Sequence, residues 1–326
     1  MQIKMNIKSL TTQGSKEGQG MGTARFENKI ECGDSLKLLH QLDPNTIDLT
    51  ITSPPYGNAI DYDTHLRNLK SNKKEHFRGK TKLSLDEYLD EMRQIFSAVH
   101  TVTKDGGYCC IVIGNEIKNG ELIALPSLLL IELLTIGWKF HEEIIWQKVT
   151  GGAKRFGITV QNPYPTYYRA NIMHESILVL QKGTNHLRKL PIGKLDLNDF
   201  VKKEIANSVW HIAPVPPNYL DHPCPFPEEI PYRLIHLYSY PNDIVLDPFN
   251  GSGQTTKVAK YSRRKFIGFD IKPEYVKLAR QRLEEPSDLR DKSLSLDESK
   301  FPIPSYERID TWKQGEQLDE YKVYAD

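Results

Sequence analysis

The chain has 326 residues, 39% of them hydrophobic and 10% aromatic, which excludes a mostly disordered protein. Its net charge of +1 does not by itself indicate an acidic partner. The four cysteines lack metal-ligand spacing, and residues 1–25 lack the apolar core of a signal peptide. Pro126 and Glu132 interrupt the apolar stretch 122–138, which is better explained as a buried helix than as a membrane span. We therefore expect one large α/β domain in a cytoplasmic protein, with reduced, buried cysteines, no metal and no membrane span.

The first elements lead to a strand that ends abruptly. Residues 26–32 predict a strand, and Ser35 caps a short helix that runs to Leu42. The β-branched run 47–52 predicts a buried strand, which stops at Pro54-Pro55 because the two prolines fix φ and Pro55 removes an N–H group. A rigid loop therefore follows this strand.

The loop Ser53-Pro54-Pro55-Tyr56 carries groups that suit a flat, amine-bearing ring. The Ser53 hydroxyl and nearby carbonyl oxygens are available to accept hydrogen bonds from an NH₂ group, and the Tyr56 ring is available for stacking. Taken alone, an ordinary strand-ending turn explains the same residues equally well.

Residues 57–83 form a polar, basic stretch that is long for a structureless connection. Its length favours a binding loop, although a charge run is more often a solvated face. Its basic residues are Arg67, Lys70, Lys73, Lys74, Arg78, Lys80 and Lys82.

The middle of the chain alternates helices and strands. Ser84 and Glu87 form a capping box for a helix that ends near Val102. A second helix, 126–136, ends at Gly137. The predicted strands here are 108–113, 143–147 and 176–180. This alternation predicts a mostly parallel sheet covered on both faces.

The last third opens on a proline-dense stretch, 214–231, and continues the alternation. The predicted elements are helix 232–238, strand 243–247, helix 254–261, strand 265–270 and helix 273–283. Beyond residue 285 the chain is charged and weakly patterned, which is typical of a peripheral tail.

A glycine-containing loop, Asp247-Pro248-Phe249-Asn250-Gly251-Ser252-Gly253, joins a predicted strand to a predicted helix. Its glycines let the backbone approach a ligand, and the helix N-terminus offers N–H groups. About twenty residues later the next strand ends in Asp270, where nucleotide-binding folds place an acid on ribose hydroxyls. The full dinucleotide fingerprint is missing, so a ligand with a single adenosine fits better than NAD.

With these two loops the sequence resembles the amino methyltransferases that methylate exocyclic amines of DNA bases using S-adenosylmethionine, over roughly residues 26–283. Ser53-Pro54-Pro55-Tyr56 is similar to their catalytic motif and Asp247–Gly253 to their cofactor loop. The catalytic loop comes first, which is the permuted order of the family's beta group. Gly33-Asp34 resembles the turn that faces adenine, and 268–270 the turn that holds ribose.

The resemblance implies a Rossmann-like α/β methyltransferase fold, circularly permuted, with a mostly parallel seven-stranded sheet and one antiparallel strand. The seven predicted strands occur in the corresponding order. The implied domains are a flexible lead, 1–25, a methyltransferase domain, 26–285, and a peripheral tail, 286–326. DNA-contacting insertions are expected at 57–83, 150–172 and 184–208.

The resemblance also assigns residues to roles. The catalytic residues are Ser53, Pro54, Pro55 and Tyr56. The cofactor-binding residues are Asp34, Phe226, Pro227, Asp247, Pro248, Phe249, Gly251, Ser252, Gly253 and Asp270. The residues expected to contact double-stranded DNA are Arg67, Lys70, Lys73, Lys74, Arg78, Lys154 and Arg155; for the last two a solvated face explains the charges equally well.

The implied reaction is methyl transfer to a flipped-out base, with Ser53 and Pro54 accepting hydrogen bonds from its amine. Serine at the first motif position usually accompanies N4-methylcytosine in this family, whereas aspartate or asparagine accompanies N6-methyladenine. We therefore expect a cytosine-N4 enzyme that protects DNA from a cognate restriction endonuclease. An adenine-N6 enzyme and a DNA-binding protein without turnover are the alternatives.

Overall fold

The computed structural model describes residues 22–55, 84–118, 120–148, 165, 170, 172–184, 204–216, 220 and 224–286. All of them lie in Met1–Ser287, the first of two units into which the chain divides. The predicted DNA contacts and Tyr56 lie outside the described residues.

The described residues contain ten strands. They are β1 (Lys29–Cys32), β2 (Ile47–Thr52), β3 (Thr103–Ile113), β4 (Glu116–Lys118), β5 (Glu121–Ile123), β6 (Lys139–Gln147), β7 (His174–Gln181), β8 (Val209–His211), β9 (Ile244–Asp247) and β10 (Lys265–Asp270). Eight of them form one sheet in the order β1-β10-β9-β2-β3-β7-β6-β8, and β4 and β5 form a separate hairpin. β7 is antiparallel to both its neighbours, and the other pairs in the sheet are parallel.

Helices cover both faces of this sheet. They are α1 (Ser35–Leu39), α2 (Leu85–Val102), α3 (Leu125–Ile136), α4 (Glu229–Tyr238), α5 (Gln254–Tyr261) and α6 (Pro273–Arg282). Successive side chains of a strand point to opposite faces of the sheet, so neighbouring residues of β10 contact different helix layers. Phe269 belongs to the core cluster under α2 and α3, whereas Gly268 lies against Thr256 of α5.

The predicted fold class and strand order are confirmed, and the strand count is corrected from seven to eight. The added strand, β8, has three residues, too few to show a periodic pattern in the sequence. It forms because Val209, Trp210 and His211 pair with the end of β6, and the fully buried Trp210 anchors it.

Three further expectations need correction. Cys109 and Cys110 are buried as expected, but Cys32 and Cys224 are exposed. The apolar stretch 122–138 contributes α3, which is buried on one face only and leaves Ile131 exposed. The N-cap of α1 is Asp34, whose side chain accepts the Lys37 N–H, and Ser35 is the first helical residue. None of the helices in the described part of the chain has the length and hydrophobicity needed to cross a bilayer.

β2 is the central strand and every residue in it is buried. It pairs on one side with β3 and on the other with β9, which is distant in sequence. The buried Asp48 supports both sides, since Lys104 Nζ lies 2.7 Å from Oδ1 and the Ile244 N–H donates to Oδ2 at 2.9 Å. A single carboxylate therefore fixes β3 and β9 against β2 at the amino end of the strand.

Asp48→Ala should lower the free energy of unfolding by roughly 2–4 kcal/mol, because the Ile244 N–H and the Lys104 ammonium lose their acceptor. Urea titration followed by circular dichroism measures this. Asp86→Ala, at an exposed position of α2, is the control and should change stability by less than about 1 kcal/mol. Equal losses in the two variants would show that Asp48 does not join the strands.

Candidate active site

The candidate site lies where the carboxyl ends of β1, β10, β9 and β2 meet. These strands are parallel neighbours, so the loops that follow them share one edge of the sheet. In open α/β sheets this edge is the usual place for a ligand. The loops contain Gly33-Asp34, Ser53-Pro54-Pro55, Asp247–Gly253 and Asp270.

A buried carboxyl joins the two principal loops. Thr52, the last residue of β2, donates its hydroxyl to Asp247 Oδ1 at 2.6 Å. The Phe249 N–H donates to the same oxygen at 3.0 Å. Asp247 is 1% exposed, and burial raises its pKa to about 6 against the opposing effect of the hydrogen bonds from Thr52, Thr255 and Phe249. This carboxyl therefore holds the loops together and does not face the solvent.

Residues 53–55 follow directly from that contact. Ser53 and Pro55 are half-buried and Pro54 is buried. A second bond fixes the end of the strand, since the Thr255 hydroxyl of α5 donates to the Ile51 carbonyl at 3.3 Å. The predicted catalytic loop thus begins beside the predicted cofactor loop. Tyr56, its fourth residue, lies outside the described residues.

The loop Asp247–Gly253 is a tight turn against β10. The Asn250 N–H donates to the Phe269 carbonyl at 2.8 Å, and the Gly253 N–H donates to the Asn250 carbonyl at 2.7 Å. Gly253 has φ +82°, and a Cβ there would lie 2.8 Å from the Ala279 Cβ of α6. Glycine is therefore required at this position for both conformation and space.

Asp270 closes the neighbouring strand and orders two loops. Its Oδ2 accepts the Gly251 N–H and its Oδ1 accepts the Lys272 N–H, each at 2.8 Å. Burial raises the pKa of this carboxyl, while these two backbone bonds oppose the change. The Asp270 carbonyl also accepts the Gly33 N–H at 2.9 Å, which ties the turn after β1 to the same place.

Predicted cofactor residues also lie at the two ends of the candidate site, near the loop Asp247–Gly253. Asp34 is exposed at the start of α1, and the adjacent Ser35 hydroxyl donates to the Pro248 carbonyl at 2.5 Å. At the other end, Gln254 Nε2 donates to the Phe226 carbonyl at 2.7 Å. The Pro227 carbonyl accepts the Ile230 N–H at 3.1 Å and so leads into α4.

Sequence reasoning missed Ile271, which directly follows Asp270 and is 61% exposed. A large apolar side chain that remains exposed beside a carboxylate offers a surface for a flat ring. The sequence signal that could have indicated Ile271 was its position immediately after the acidic residue that ends the strand. Thr52 and Ser35 were also missed, because their partners lie 195 and 213 residues away.

The chemistry of these groups fits an adenosine-containing ligand. Asp34 and Asp270 provide carboxylates that accept from an amine or hydroxyls, and Ile271 provides an apolar surface. The Gly251–Gly253 turn allows close approach of a ligand. Among the described residues, no group of three or more His, Cys, Asp or Glu side chains is arranged to hold a metal ion.

The sequence of this chain matches a family model. The N6/N4 methyltransferase family, described as DNA methylase, matches residues 47–281. The type II methyltransferase M.BglII of Bacillus subtilis is 30% identical over 274 residues, covering 80% of this chain and 70% of its own. The DNA adenine methyltransferase YhdJ of Escherichia coli K12 is 28% identical over 275 residues, covering 82% of this chain and 87% of its own.

A solved structure has the same fold. TTHA0409 of Thermus thermophilus, complexed with S-adenosyl-L-methionine, superposes with a TM-score of 0.60 over 78% of this chain and 92% of its own, at 23% identity. The match to the family model covers most of the chain, including both the Ser53-Pro54-Pro55-Tyr56 and the Asp247–Gly253 loops. The chain therefore belongs to the N6/N4 DNA methylase family and is a DNA methyltransferase.

Proposed function

We propose that this enzyme methylates the exocyclic amine of cytosine in double-stranded DNA, at a specific sequence, as the protective partner of a restriction endonuclease. The observation that carries the proposal is the Thr52–Asp247 hydrogen bond, which joins the start of Ser53-Pro54-Pro55 to the loop Asp247–Gly253. Methyl transfer requires the loop that accepts the amine and the loop that binds the cofactor to be adjacent, because the two reacting groups must meet.

The amine of a base is a weak nucleophile, because its lone pair is delocalised into the ring. The Ser53 hydroxyl and the Pro54 carbonyl accept hydrogen bonds from this amine, which favours a pyramidal nitrogen and directs its lone pair. Bound S-adenosylmethionine supplies an electrophilic methyl group. Fixed acceptors need no reorganisation during the reaction, so positioning supplies most of the rate enhancement.

Several parts of the site are proposed to hold the cofactor. Asp270 accepts from the ribose hydroxyls, Asp34 from the adenine amine, and Ile271 covers the adenine ring. Phe226-Pro227 flanks the methionine end. The Gly251–Gly253 turn lets the backbone approach the ligand. Asp247 is buried, so we assign it to holding these loops in register.

A base inside a duplex cannot reach this edge of the sheet, so the target base must be flipped out. We assign stacking of the flipped base to Tyr56 by its position in the motif. The lysines and arginines of 57–83, together with Lys154 and Arg155, are proposed to bind DNA phosphates, which makes affinity fall with salt.

Adenine is the second candidate base. The similarity to YhdJ, named as a DNA adenine methyltransferase, favours it. Ser53 favours cytosine. In the amino methyltransferases that the sequence resembles, serine at this position usually accompanies cytosine, whereas aspartate or asparagine usually accompanies adenine. Both candidates share the same fold and acceptor chemistry.

The identity of the product decides between the two bases. The protein is incubated with unmethylated bacterial DNA and labelled S-adenosylmethionine, and the digested nucleosides are identified by mass spectrometry. We expect N4-methylcytosine. N6-methyladenine would retain the mechanism and refute the base assignment, and the absence of any methylated nucleoside would refute the proposed activity on this DNA.

Ser53→Ala should lower kcat by roughly 10²-fold, because one of two fixed acceptors for the amine is lost. Binding of S-adenosylmethionine should stay within about twofold of wild type, since Ser53 is not assigned to the cofactor. Single-turnover methylation and calorimetry measure the two effects. Ser127→Ala, at an exposed position of α3, is the matched control. A wild-type kcat in Ser53→Ala would remove this residue from the reaction.

Asp270→Ala should weaken S-adenosylmethionine binding by roughly 10–100-fold, because the ribose loses an acceptor and the Gly251 and Lys272 N–H groups lose theirs. Isothermal titration calorimetry gives the dissociation constant. Asp105→Ala is the control, since Asp105 is exposed near the opposite end of the sheet. Unchanged affinity in Asp270→Ala would contradict the ribose assignment.

A further inference from the structure

Four charged side chains lie behind the loop Asp247–Gly253, and none of them belongs to the motifs used so far. We name Glu228, Lys257, Arg282 and Glu285 the charge cluster. They come from the start of α4, from α5, and from the end of α6 and the residues after it. The sequence pattern gave no indication of this cluster, because its members are distributed over 58 residues.

Glu228 is the centre of the charge cluster. Its Oε1 accepts from Arg282 Nη2 at 2.8 Å and lies 2.9 Å from Lys257 Nζ. The Glu285 carboxylate is farther away, at 3.7 Å from Lys257 and 3.8 Å from Arg282. The side chains of Lys257 and Arg282 are 5% and 4% exposed, whereas Glu285 is 56% exposed. Glu228, whose side chain is 10% exposed, is therefore the anion that compensates two buried cations.

The charge cluster holds the cofactor loop by its backbone. Arg282 Nη1 donates to the Ser252 carbonyl at 2.7 Å. Ser252 lies between Gly251 and Gly253, so fixing its carbonyl fixes the Ser252–Gly253 peptide plane and with it the path of the turn. Glu228 accepts from the other terminal nitrogen of the same guanidinium, so the two contacts together set the position of Arg282.

Glu228 also belongs to the segment that contains Phe226 and Pro227, at one end of the candidate site. It directly follows Phe226-Pro227 and is the N-cap residue of α4, yet its side chain makes no capping hydrogen bond. A capping role therefore does not account for it. The carboxylate instead joins the Phe226-Pro227 segment to the cofactor loop, in parallel with the Gln254–Phe226 hydrogen bond of 2.7 Å.

We propose that Glu228 is a positioning residue for S-adenosylmethionine binding, acting through Arg282 on the Ser252 carbonyl. This inference rests on the proposed cofactor-binding role of Gly251–Gly253 and is independent of which base is methylated. Loss of the Glu228 charge removes the carboxylate nearest to Lys257 and Arg282 and leaves Glu285, at 3.7 and 3.8 Å, as their nearest carboxylate among the described residues. The repulsion between the two cations then moves Arg282 away from Ser252. Cofactor affinity falls, while the amine acceptors of the other loop keep their places.

The variant Glu228→Gln keeps the shape of the side chain and removes its charge. The dissociation constant for S-adenosylmethionine is measured by calorimetry, and kcat is measured at saturating cofactor with saturating DNA. We expect roughly tenfold weaker binding, with kcat within about twofold of wild type. A residue that only stabilised the fold would lower the melting temperature without this separation of binding from turnover.

Restoring the charge tests the mechanism. In Glu228→Gln/Lys257→Gln one cation is removed together with the anion, so the charge cluster is again neutral overall, with Arg282 and Glu285 as its remaining charges. We expect cofactor affinity within about threefold of wild type. Glu284→Gln is the control, because Glu284 is 81% exposed and pairs with Lys260 outside the cluster. It should bind the cofactor as wild type does.

Two outcomes would overturn the inference. One is wild-type cofactor affinity in Glu228→Gln, and the other is a double variant that binds no better than Glu228→Gln. If Glu228→Gln does not fold, the double variant Glu228→Gln/Lys257→Gln is compared with Lys257→Gln alone. Cofactor binding roughly tenfold weaker in the double variant than in Lys257→Gln also overturns the inference. If Asp270→Ala binds normally as well, the cofactor-loop assignment fails; if Asp270→Ala is weakened, only the inference fails.

Discussion

The rest of the site depends on one buried carboxyl, that of Asp247, at the joint between the central strand and its neighbour β9. It accepts the Thr52 hydroxyl at the end of one strand and the Phe249 N–H at the start of the following loop. A buried carboxyl is costly unless its hydrogen bonds are made, and here those bonds come from both loops. Because the Asp247 carboxyl must keep these hydrogen bonds, the two loops are held next to each other.

The sheet supplies the rest of the geometry. Four parallel strands end at one edge, and hydrogen bonds join the end of each strand, or the residues just after it, to the neighbouring strand end or loop. Asp270 and Ser35 are bonded to the cofactor loop from the side of β10 and β1. α6 starts just beyond Asp270 and reaches back to Ser252 through Arg282. The loops are therefore held by neighbouring backbone and buried side chains, and few of their positions depend on solvent-exposed contacts.

Much of this was predictable from the sequence, because both motifs lie at strand ends and the strands are strongly apolar. The seven predicted strands, the order of the loops and the turn at Gly253 follow from local patterns. β8 and the hairpin β4–β5 were not predicted, since three-residue strands acquire their pairing from tertiary context. Thr52, Ile271 and the charge cluster were missed for a related reason. Thr52 and the charge cluster depend on partners that are distant in sequence, and the exposure of Ile271 does not follow from its place after a strand end alone.

The position of Asp48 also has a consequence for synthesis of the chain. Its partner Ile244 lies 196 residues later, so β2 is made long before the strand that covers its far side. If β2 pairs with β3 in that interval, its other side is an unpaired edge with an apolar surface, the kind of edge that recruits other chains. A carboxylate on such an edge discourages wrong pairing, and here the same carboxylate later receives the Ile244 N–H. The same Asp48 carboxylate thus disfavours incorrect strand pairing before β9 is made and accepts a hydrogen bond from β9 afterwards.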